Sequence, residues 1–180
     1  MSNRKLILYI SCSLDGYIAK PNDDLSFLSL VQQEGEDYGY NDFIKTIDTV
    51  IVGRRTYDWI IDQGYDFPHL DKECYVITRQ ERASKGSLNF YNADLEVLIT
   101  ELKSKKGKNI FCDGGSQILN QILELRQFDE MVISIVPILL GSGKRLFAEG
   151  IPEQGLKLVS SRQFESGLLQ AHYRVTDMLP

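Results

Sequence analysis

The fold is decided by the stretch Thr49-Val50-Ile51-Val52-Gly53-Arg54-Arg55-Thr56-Tyr57-Asp58-Trp59-Ile60, in which an apolar run, a glycine and a helix-like pattern follow one another. The same plan returns in Ile110-Phe111-Cys112-Asp113-Gly114-Gly115-Ser116-Gln117-Ile118-Leu119. Glycine permits a tight turn at a strand end, and the following helix directs unpaired N–H groups and a positive dipole end toward that turn. Phosphate groups bind at such positions. Two such junctions in one domain therefore predict a ligand with more than one phosphate, such as a dinucleotide.

Strand-like and helix-like segments alternate on both sides of these junctions. Apolar runs predict strands at residues 5–10, 49–52, 74–78, 88–91, 109–112 and 131–136, and apolar positions at helical spacing predict helices from residues 56, 95 and 116. After about residue 125 strands dominate, and residues 168–176 alternate as an antiparallel strand does, with Leu169 and Ala171 on the opposite face from Gln170. We expect an α/β fold with a mostly parallel central sheet, an antiparallel C-terminal edge and flanking helices, in a single domain spanning residues 1–180.

Composition narrows the class of protein. The chain has 180 residues, of which 43% are hydrophobic and 25% charged, as in ordinary globular domains. A net charge of −5 argues against nucleic acid as a partner, since that needs a basic field. The apolar run at residues 6–10 is too short for a signal peptide or a membrane span. Three widely spaced cysteines and two histidines predict neither a disulfide framework nor a metal site, and favour reduced thiols in the cytoplasm.

The first junction carries side chains suited to phosphate. Gly53 makes the turn, Arg54 and Arg55 supply positive charge with bidentate donors, and Thr56 can cap the helix or bond a phosphate oxygen. The plain alternative is a capped helix with two solvated arginines. Thr78 and Arg79 also end a predicted strand, and in a parallel sheet Arg79 would lie at the same edge and suit the 2′-phosphate of NADP.

The second junction adds a carboxylate. The paired glycines Gly114 and Gly115, followed by Ser116 and Gln117, allow backbone contact with an anionic or flat group, although the plain alternative is an ordinary strand-to-helix turn. The stretch is not the G-x-G-x-x-G fingerprint of the common dinucleotide-binding fold. Asp113, directly before the glycines, could hold a ligand N–H or hydroxyl.

Asp37 is a candidate for proton transfer. It lies in the acidic run Glu34-Gly35-Glu36-Asp37. A further helix is predicted directly after this run, where Phe43, Ile44 and Ile47 repeat at helical spacing. Most residues in such a run are solvated or favour the helix N-terminus. If Asp37 faces an apolar cleft, its pKa should rise and allow it to donate a proton or anchor a substrate.

Four motifs together resemble the dihydrofolate reductase-like superfamily, and most closely the C-terminal reductase domain of riboflavin-biosynthesis proteins. They are Ser13-Leu14-Asp15-Gly16-Tyr17-Ile18-Ala19, Val52-Gly53-Arg54-Arg55-Thr56-Tyr57, Asp113-Gly114-Gly115-Ser116 and Pro137-Ile138-Leu139-Leu140-Gly141-Ser142-Gly143-Lys144-Arg145-Leu146-Phe147. The match spans nearly the whole chain. The resemblance implies NADPH bound across the carboxyl edge of the sheet.

The resemblance also assigns roles to residues. The nicotinamide pocket falls on Ser11, Leu14 and Ile18, and the remaining cofactor contacts fall on the two junctions and on the strand end between them: Gly53, Arg54, Arg55, Thr56, Thr78, Arg79, Gly114, Gly115, Ser116 and Gln117. Asp113 takes the place of the acid that binds substrate in the riboflavin branch. Asp37 aligns roughly with the acid that anchors the pterin in dihydrofolate reductases.

Three functions stay open. The first is a reductase of a phosphoribosyl-aminopyrimidine, for whose phosphate Lys144 and Arg145 are candidates. The second is a dihydrofolate or pterin reductase, which needs Asp37 in an apolar slot. The third is a protein of the same fold that binds a nucleotide without turnover. The resemblance further implies a homodimer that pairs through the C-terminal strands.

Overall fold

The computed structural model describes residues 4–176, so the ends of the expected domain 1–180 lie outside the described residues. Within that range the strands are β1 (Leu6–Ser13), β2 (Tyr17–Ala19), β3 (Ile47–Gly53), β4 (Glu73–Ile77), β5 (Leu88–Tyr91), β6 (Asn109–Gly114), β7 (Glu130–Val136), β8 (Lys144–Arg145), β9 (Gly155–Gln163) and β10 (Leu169–Thr176). The helices are α1 (Tyr40–Lys45), α2 (Arg54–Asp62), α3 (Leu95–Ser104) and α4 (Ser116–Glu124), with short 3₁₀ turns at Pro21–Asp23 and Ser26–Val31.

Eight strands form the central sheet, in the order β5-β4-β3-β6-β1-β7-β10-β9. The first six run parallel, and β10 is antiparallel to both β7 and β9. The predicted α/β class, with its parallel sheet and antiparallel C-terminal edge, is therefore confirmed. A second, small sheet joins β2 to β8.

The central parallel strands are buried on both faces, because they are apolar runs whose successive side chains point to opposite faces. In β3, Ile51 packs into one cluster with α3 and α4, whereas Val50 and Val52 pack into another with α1 and α2. Each such buried side chain contributes about 1.5–3 kcal/mol of hydrophobic stabilisation. The carboxyl ends of the parallel strands are left between these helical layers, and they form the site described below.

Two features of the C-terminal third differ from expectation. The strand β9 and the short pair β2 and β8 were not predicted, since β9 shows no buried face and its residues do not alternate. In β10 the side chain of Gln170 is buried whereas Leu169 is 45% exposed. Burial of the Gln170 amide is possible because it donates hydrogen bonds to Tyr9 Oη and Ser134 Oγ, both at 3.0 Å.

Residues 4–176 contain no helix that is both long enough and apolar enough to cross a membrane.

Candidate functional site

A cleft of about 1000 Å³ lies at the carboxyl ends of β1, β3, β4 and β6. Twelve of the thirteen residues predicted to bind a cofactor line it: Ser11, Ile18, Gly53, Arg54, Arg55, Thr56, Thr78, Arg79, Gly114, Gly115, Ser116 and Gln117. These residues come from four separate stretches of the chain. The parallel topology brings them together, because successive parallel strands end at the same edge of the sheet.

The two glycine junctions are neighbours in this cleft. Val52 in β3 pairs with Gly114 in β6, so Gly53 and Gly115 follow side by side. A Cβ atom on Gly53 would lie 3.0 Å from Ile118 Cγ1, and one on Gly115 would lie 2.8 Å from Thr56 Oγ1. Gly114 has a φ of +96°, which other residues rarely adopt. Side chains at these positions would fill or distort the floor of the cleft.

Two helices begin at these glycines and direct their first turns toward the cleft. Gly53 is the N-cap of α2 and Gly115 that of α4, and within residues 4–176 no side chain caps either helix. Thr56 Oγ1 accepts a hydrogen bond of 3.0 Å from the Gly115 N–H, which links the two junctions. The remaining N–H groups of both first turns form a site of positive potential suited to a diphosphate.

The cleft has four cationic side chains, which differ in their ion-pair partners: Arg54, Arg55, Arg79 and Lys144. Arg54 forms an ion pair of 2.9 Å with Asp58, which also binds Arg82. Over the described part of the chain, neither Arg55 nor Arg79 forms an ion pair. These two arginines therefore add net positive charge to the cleft. The glycine floor, the open helix ends and the unpaired arginines together fit a phosphorylated dinucleotide.

Leu14 is the predicted cofactor residue that does not line the cleft. Its side chain is 65% exposed, and its N–H donates to the carbonyl of Ile138 at 2.9 Å. The neighbouring Asp15 accepts hydrogen bonds from the Leu140 and Gly141 N–H groups and from Ser13 Oγ. Asp15 thus holds the loop with Leu14 outside the lining of the cleft, and the contact of Leu14 with a nicotinamide stays a prediction.

A second cavity of about 680 Å³ adjoins the first. The two share six lining residues: Tyr9, Ile10, Ser11, Leu25, Leu28 and Asp113. Its other lining residues include the partly exposed Tyr38 and Tyr40 and the buried Phe111. Asp113 therefore lies on the border between a cleft suited to a dinucleotide and a cavity suited to a flat organic molecule.

The His69 ring contacts the Asp113 carboxylate, and the sequence did not predict this contact. His69 Nε2 lies 3.3 Å from Asp113 Oδ2, and the histidine is 3% exposed. Its ring also makes edge-to-face contacts with Phe67 and Phe111. These contacts fix the histidine ring, and the histidine in turn fixes the orientation of the carboxylate at the border of the two cavities.

Asp37 lines the second cavity, but its environment is not the one expected. Its carboxylate accepts hydrogen bonds from the Gly39 and Asn41 N–H groups at the start of α1. These hydrogen bonds lower the pKa of Asp37 below its ordinary value. The expectation of a raised pKa is wrong, because Asp37 serves a helix end instead of facing an apolar slot. An aspartate with a lowered pKa is ionised at neutral pH and is a poor proton donor.

Two phenols of the second cavity, those of Tyr9 and Tyr40, stay protonated at neutral pH. Burial, with a smaller effect from the Asp113 carboxylate, raises the pKa of Tyr40 to about 12. Burial also raises the pKa of Tyr9, whose hydroxyl donates to the carbonyl of Tyr38 at 2.7 Å. Both rings thus present neutral polar groups beside an apolar wall.

The basic pair proposed for a substrate phosphate does not lie in the second cavity. Lys144 lines the first cleft, where it forms an ion pair with Asp23. The guanidinium of Arg145 stacks over the ring of Tyr17 at 5.1 Å and lines neither cavity. The pairing of β2 with β8 holds both residues in these places.

Comparisons with known proteins find a matching family model and several similar chains. The family model of the RibD C-terminal domain matches residues 4–170. YwjB of Bacillus subtilis (strain 168), an uncharacterized protein, is 39% identical over 171 residues, which cover 94% of this chain and 97% of YwjB. A protein of Shewanella sp. PV-4 assigned to riboflavin biosynthesis has a similar structure, with a TM-score of 0.85, 29% identity, and coverage of 96% of this chain and 99% of that one.

A more distant likeness extends to a two-activity enzyme. The diaminohydroxyphosphoribosylaminopyrimidine deaminase/5-amino-6-(5-phosphoribosylamino)uracil reductase of Thermotoga maritima has a TM-score of 0.70 and 16% identity. The alignment covers 96% of this chain but 57% of that protein. At this identity the likeness shows a common fold.

Proposed function

The chain belongs to the RibD C-terminal domain family, a riboflavin-biosynthesis type of reductase, and from that premise we propose that it is an NADPH-dependent oxidoreductase acting on a small heterocyclic substrate. The observation that carries the proposal is the pair of joined cavities. One has a glycine floor, two open helix ends and two unpaired arginines, and the other is aromatic. Asp113 lies where they meet.

The protein's own groups would bind and orient the two reactants. The first turns of α2 and α4 would hold the diphosphate, and Arg55 and Arg79 would hold further phosphate charge. Ser11 and Ile18 line the same cleft as these groups. When bound, the reduced nicotinamide would supply a hydride to the carbon of a substrate C=N or C=O bond, whose nitrogen or oxygen gains a proton.

Asp113 would bind the substrate. Its carboxylate borders both cavities and is fixed by His69, so it can accept a hydrogen bond from a substrate N–H or hydroxyl. This contact would place the reacting bond against the cofactor cleft. The three buried, free cysteines are compatible with the cytoplasmic location that we also propose.

The test uses Trp59, which lines the cofactor cleft and is the single tryptophan of the sequence. NADPH should quench Trp59 emission in a saturable manner, with micromolar or tighter affinity that calorimetry reproduces. Arg55→Gln should weaken binding by about tenfold or more, because a hydrogen bond to a charged group contributes about 1.5–3 kcal/mol. Arg126→Gln, an exposed control outside the cleft, should have no effect. Absence of saturable binding would refute the proposal.

The two other functions make different predictions. A pterin reductase of the expected kind needs a proton-donating Asp37, whereas that carboxylate binds the start of α1. A protein without turnover would bind NADPH but would not oxidise it with any of a panel of pyrimidines, pterins and quinones. Loss of absorbance at 340 nm in that panel separates a reductase from a binding protein.

A further inference from the structure

The second cavity has an acidic lining. Its charged residues are Glu36, Asp37 and Asp113, and no lysine or arginine of residues 4–176 lines it. Asp113 reaches it from β6, whereas Glu36 and Asp37 reach it from the segment before α1. A ligand in this cavity therefore meets carboxylates from two sides.

Arg162, Lys144 and Arg145 do not line the second cavity. Arg162 lies beside Gly39 and its charge acts on Tyr9, but its guanidinium stacks over the Phe164 ring at 5.0 Å. Lys144 is in the first cleft with Asp23 as its partner, and Arg145 lies over Tyr17. Neither basic residue considered above for a substrate phosphate faces this cavity.

The N-terminus of α1 lies beside the cavity, and its N–H groups already have a hydrogen-bond acceptor. The N-terminus of α1 could in principle bind an anion, but Asp37 already accepts hydrogen bonds from the Gly39 and Asn41 N–H groups. A phosphate monoester carries a charge of about −1.5 to −2 at neutral pH. Placed here it would meet three carboxylates and no lysine or arginine in the lining, and like charges repel one another.

Given the proposed reductase function, on which this step rests, we infer that the substrate carries no phosphate and is a planar heterocycle with amino or other N–H donors. Carboxylates accept hydrogen bonds and cannot donate them when ionised, so Glu36, Asp37 and Asp113 select donors. Tyr38 and Tyr40, both partly exposed, offer aromatic surfaces for a flat ring. The inferred substrate thus differs from the phosphoribosyl compound in the name of the Thermotoga maritima enzyme.

Calorimetry with a matched pair of probes tests this inference. NADP⁺ is first titrated into the full chain, and the saturated protein is then titrated with 5-amino-6-(5-phosphoribosylamino)uracil and with its dephosphorylated ribosyl counterpart. We expect the dephosphorylated compound to bind at least about tenfold more tightly, a difference of about 1.4 kcal/mol. Equal or tighter binding of the phosphorylated compound, or binding of neither, would overturn the inference while leaving the cofactor proposal standing. Failure of NADP⁺ itself to bind would refute the proposed function and this inference with it.

A second measurement compares charge reversal at a residue that lines the cavity with charge reversal at a residue outside it. Glu36→Lys adds a cation to the lining and should narrow the preference for the dephosphorylated compound. Glu34→Lys makes the same change of charge at an exposed neighbouring residue outside the lining, and should leave the preference unchanged. An unaltered preference in Glu36→Lys, or an equal effect of Glu34→Lys, would contradict the inference.

Discussion

The Asp15 carboxylate joins two segments of the chain beside the cleft by hydrogen bonds. It binds Ser13 Oγ and the N–H groups of Leu140 and Gly141, so it joins the loop after β1 to the segment before β8. The hydrogen bond from Ser13, with those from Leu140 and Gly141, lowers the pKa of Asp15 to about 2. The ionised form is therefore the one that stabilises the fold.

This lowered pKa predicts a definite pH dependence for Asp15→Asn. The stabilisation by the carboxylate should be fully present above about pH 4, the ordinary pKa of aspartate, and should be lost as the pH falls through about 2. Urea midpoints of the wild type and the variant should therefore differ at pH 6 and converge toward pH 2. The control Asp62→Asn changes an exposed carboxylate at the end of α2, and its difference from the wild type should not follow this course. A constant gap for Asp15→Asn down to pH 2 would contradict this account.

His69 should act on turnover through Asp113. His69→Phe keeps an aromatic ring between Phe67 and Phe111 but removes the contact with the carboxylate. We expect kcat to fall about tenfold, because a substrate-positioning group misplaced by about 1 Å can cost up to about a hundredfold in rate, whereas the KM for NADPH should be unchanged.

Phe67→Leu is the matched control for His69, since it disturbs the same ring cluster but leaves the imidazole beside Asp113. Its kcat should stay near that of the wild type. If both variants lower kcat equally, the role of His69 is packing alone.

At this scale the sequence revealed some residues of the site and not others. The glycines and arginines of the junctions were predictable, because a strand end followed by a helix start is visible locally. His69 was not predictable, because it lies 44 positions before Asp113 in the chain. The two residues come into contact only because β4, β3 and β6 are neighbours in the sheet. The raised pKa expected for Asp37 was wrong, because the N–H groups of Gly39 and Asn41 bind its carboxylate, an arrangement that the sequence does not reveal.

Among the elements, the pairing of β2 with β8 closes one side of the cleft. Gly143, just before β8, has a φ of +139°, and a Cβ atom there would collide with the carbonyl of Ala19. This pairing holds Ile18 and Lys144 in the lining of the cleft. The glycine is thus required by the backbone of a different strand.

Gly143→Ala should therefore lower stability by about 1–3 kcal/mol, the usual cost of forcing an extra group into a packed position. It should also weaken NADPH binding, because the wall formed by β2 moves. Gly150→Ala provides the control: Gly150 also has a positive φ, but open space surrounds its Cβ position. Thermal unfolding and Trp59 titration measure both effects, and a Gly143→Ala variant that matches Gly150→Ala would refute this explanation.

The central elements were predictable because their apolar residues follow the burial of the sheet. β5 was predicted at its observed bounds, and β3, β4 and β6 to within two residues. β9 escaped prediction since it is exposed along nearly its whole length. A strand that buries neither face leaves no alternation in the sequence, and its existence depends on pairing with β10.

For the whole molecule, β9 provides a way to test the dimer that the family resemblance implied. It lies at one of the two edges of the central sheet and exposes Leu156, Leu158 and Val159. An exposed apolar edge strand is a site where another chain can pair. The homodimer stays a prediction, because pairing with a second copy is one of several ways to cover this edge.

Sedimentation equilibrium should find a dimer at micromolar concentration, and Leu158→Glu should shift it toward monomer by placing a charge in the contact. Leu70→Glu, at an exposed leucine outside β9, should leave the dimer intact. A wild-type protein that is monomeric at every concentration would refute the prediction.

The central claim is that the two strand-glycine-helix junctions bind the diphosphate of one dinucleotide together. The most direct measurement is a crystal structure of the protein soaked with NADP⁺. We predict diphosphate oxygens within hydrogen-bonding distance of first-turn N–H groups of both α2 and α4, and the nicotinamide near Ser11 and Asp113. A dinucleotide that contacts only one of the two helices, or lies outside this cleft, would contradict the account.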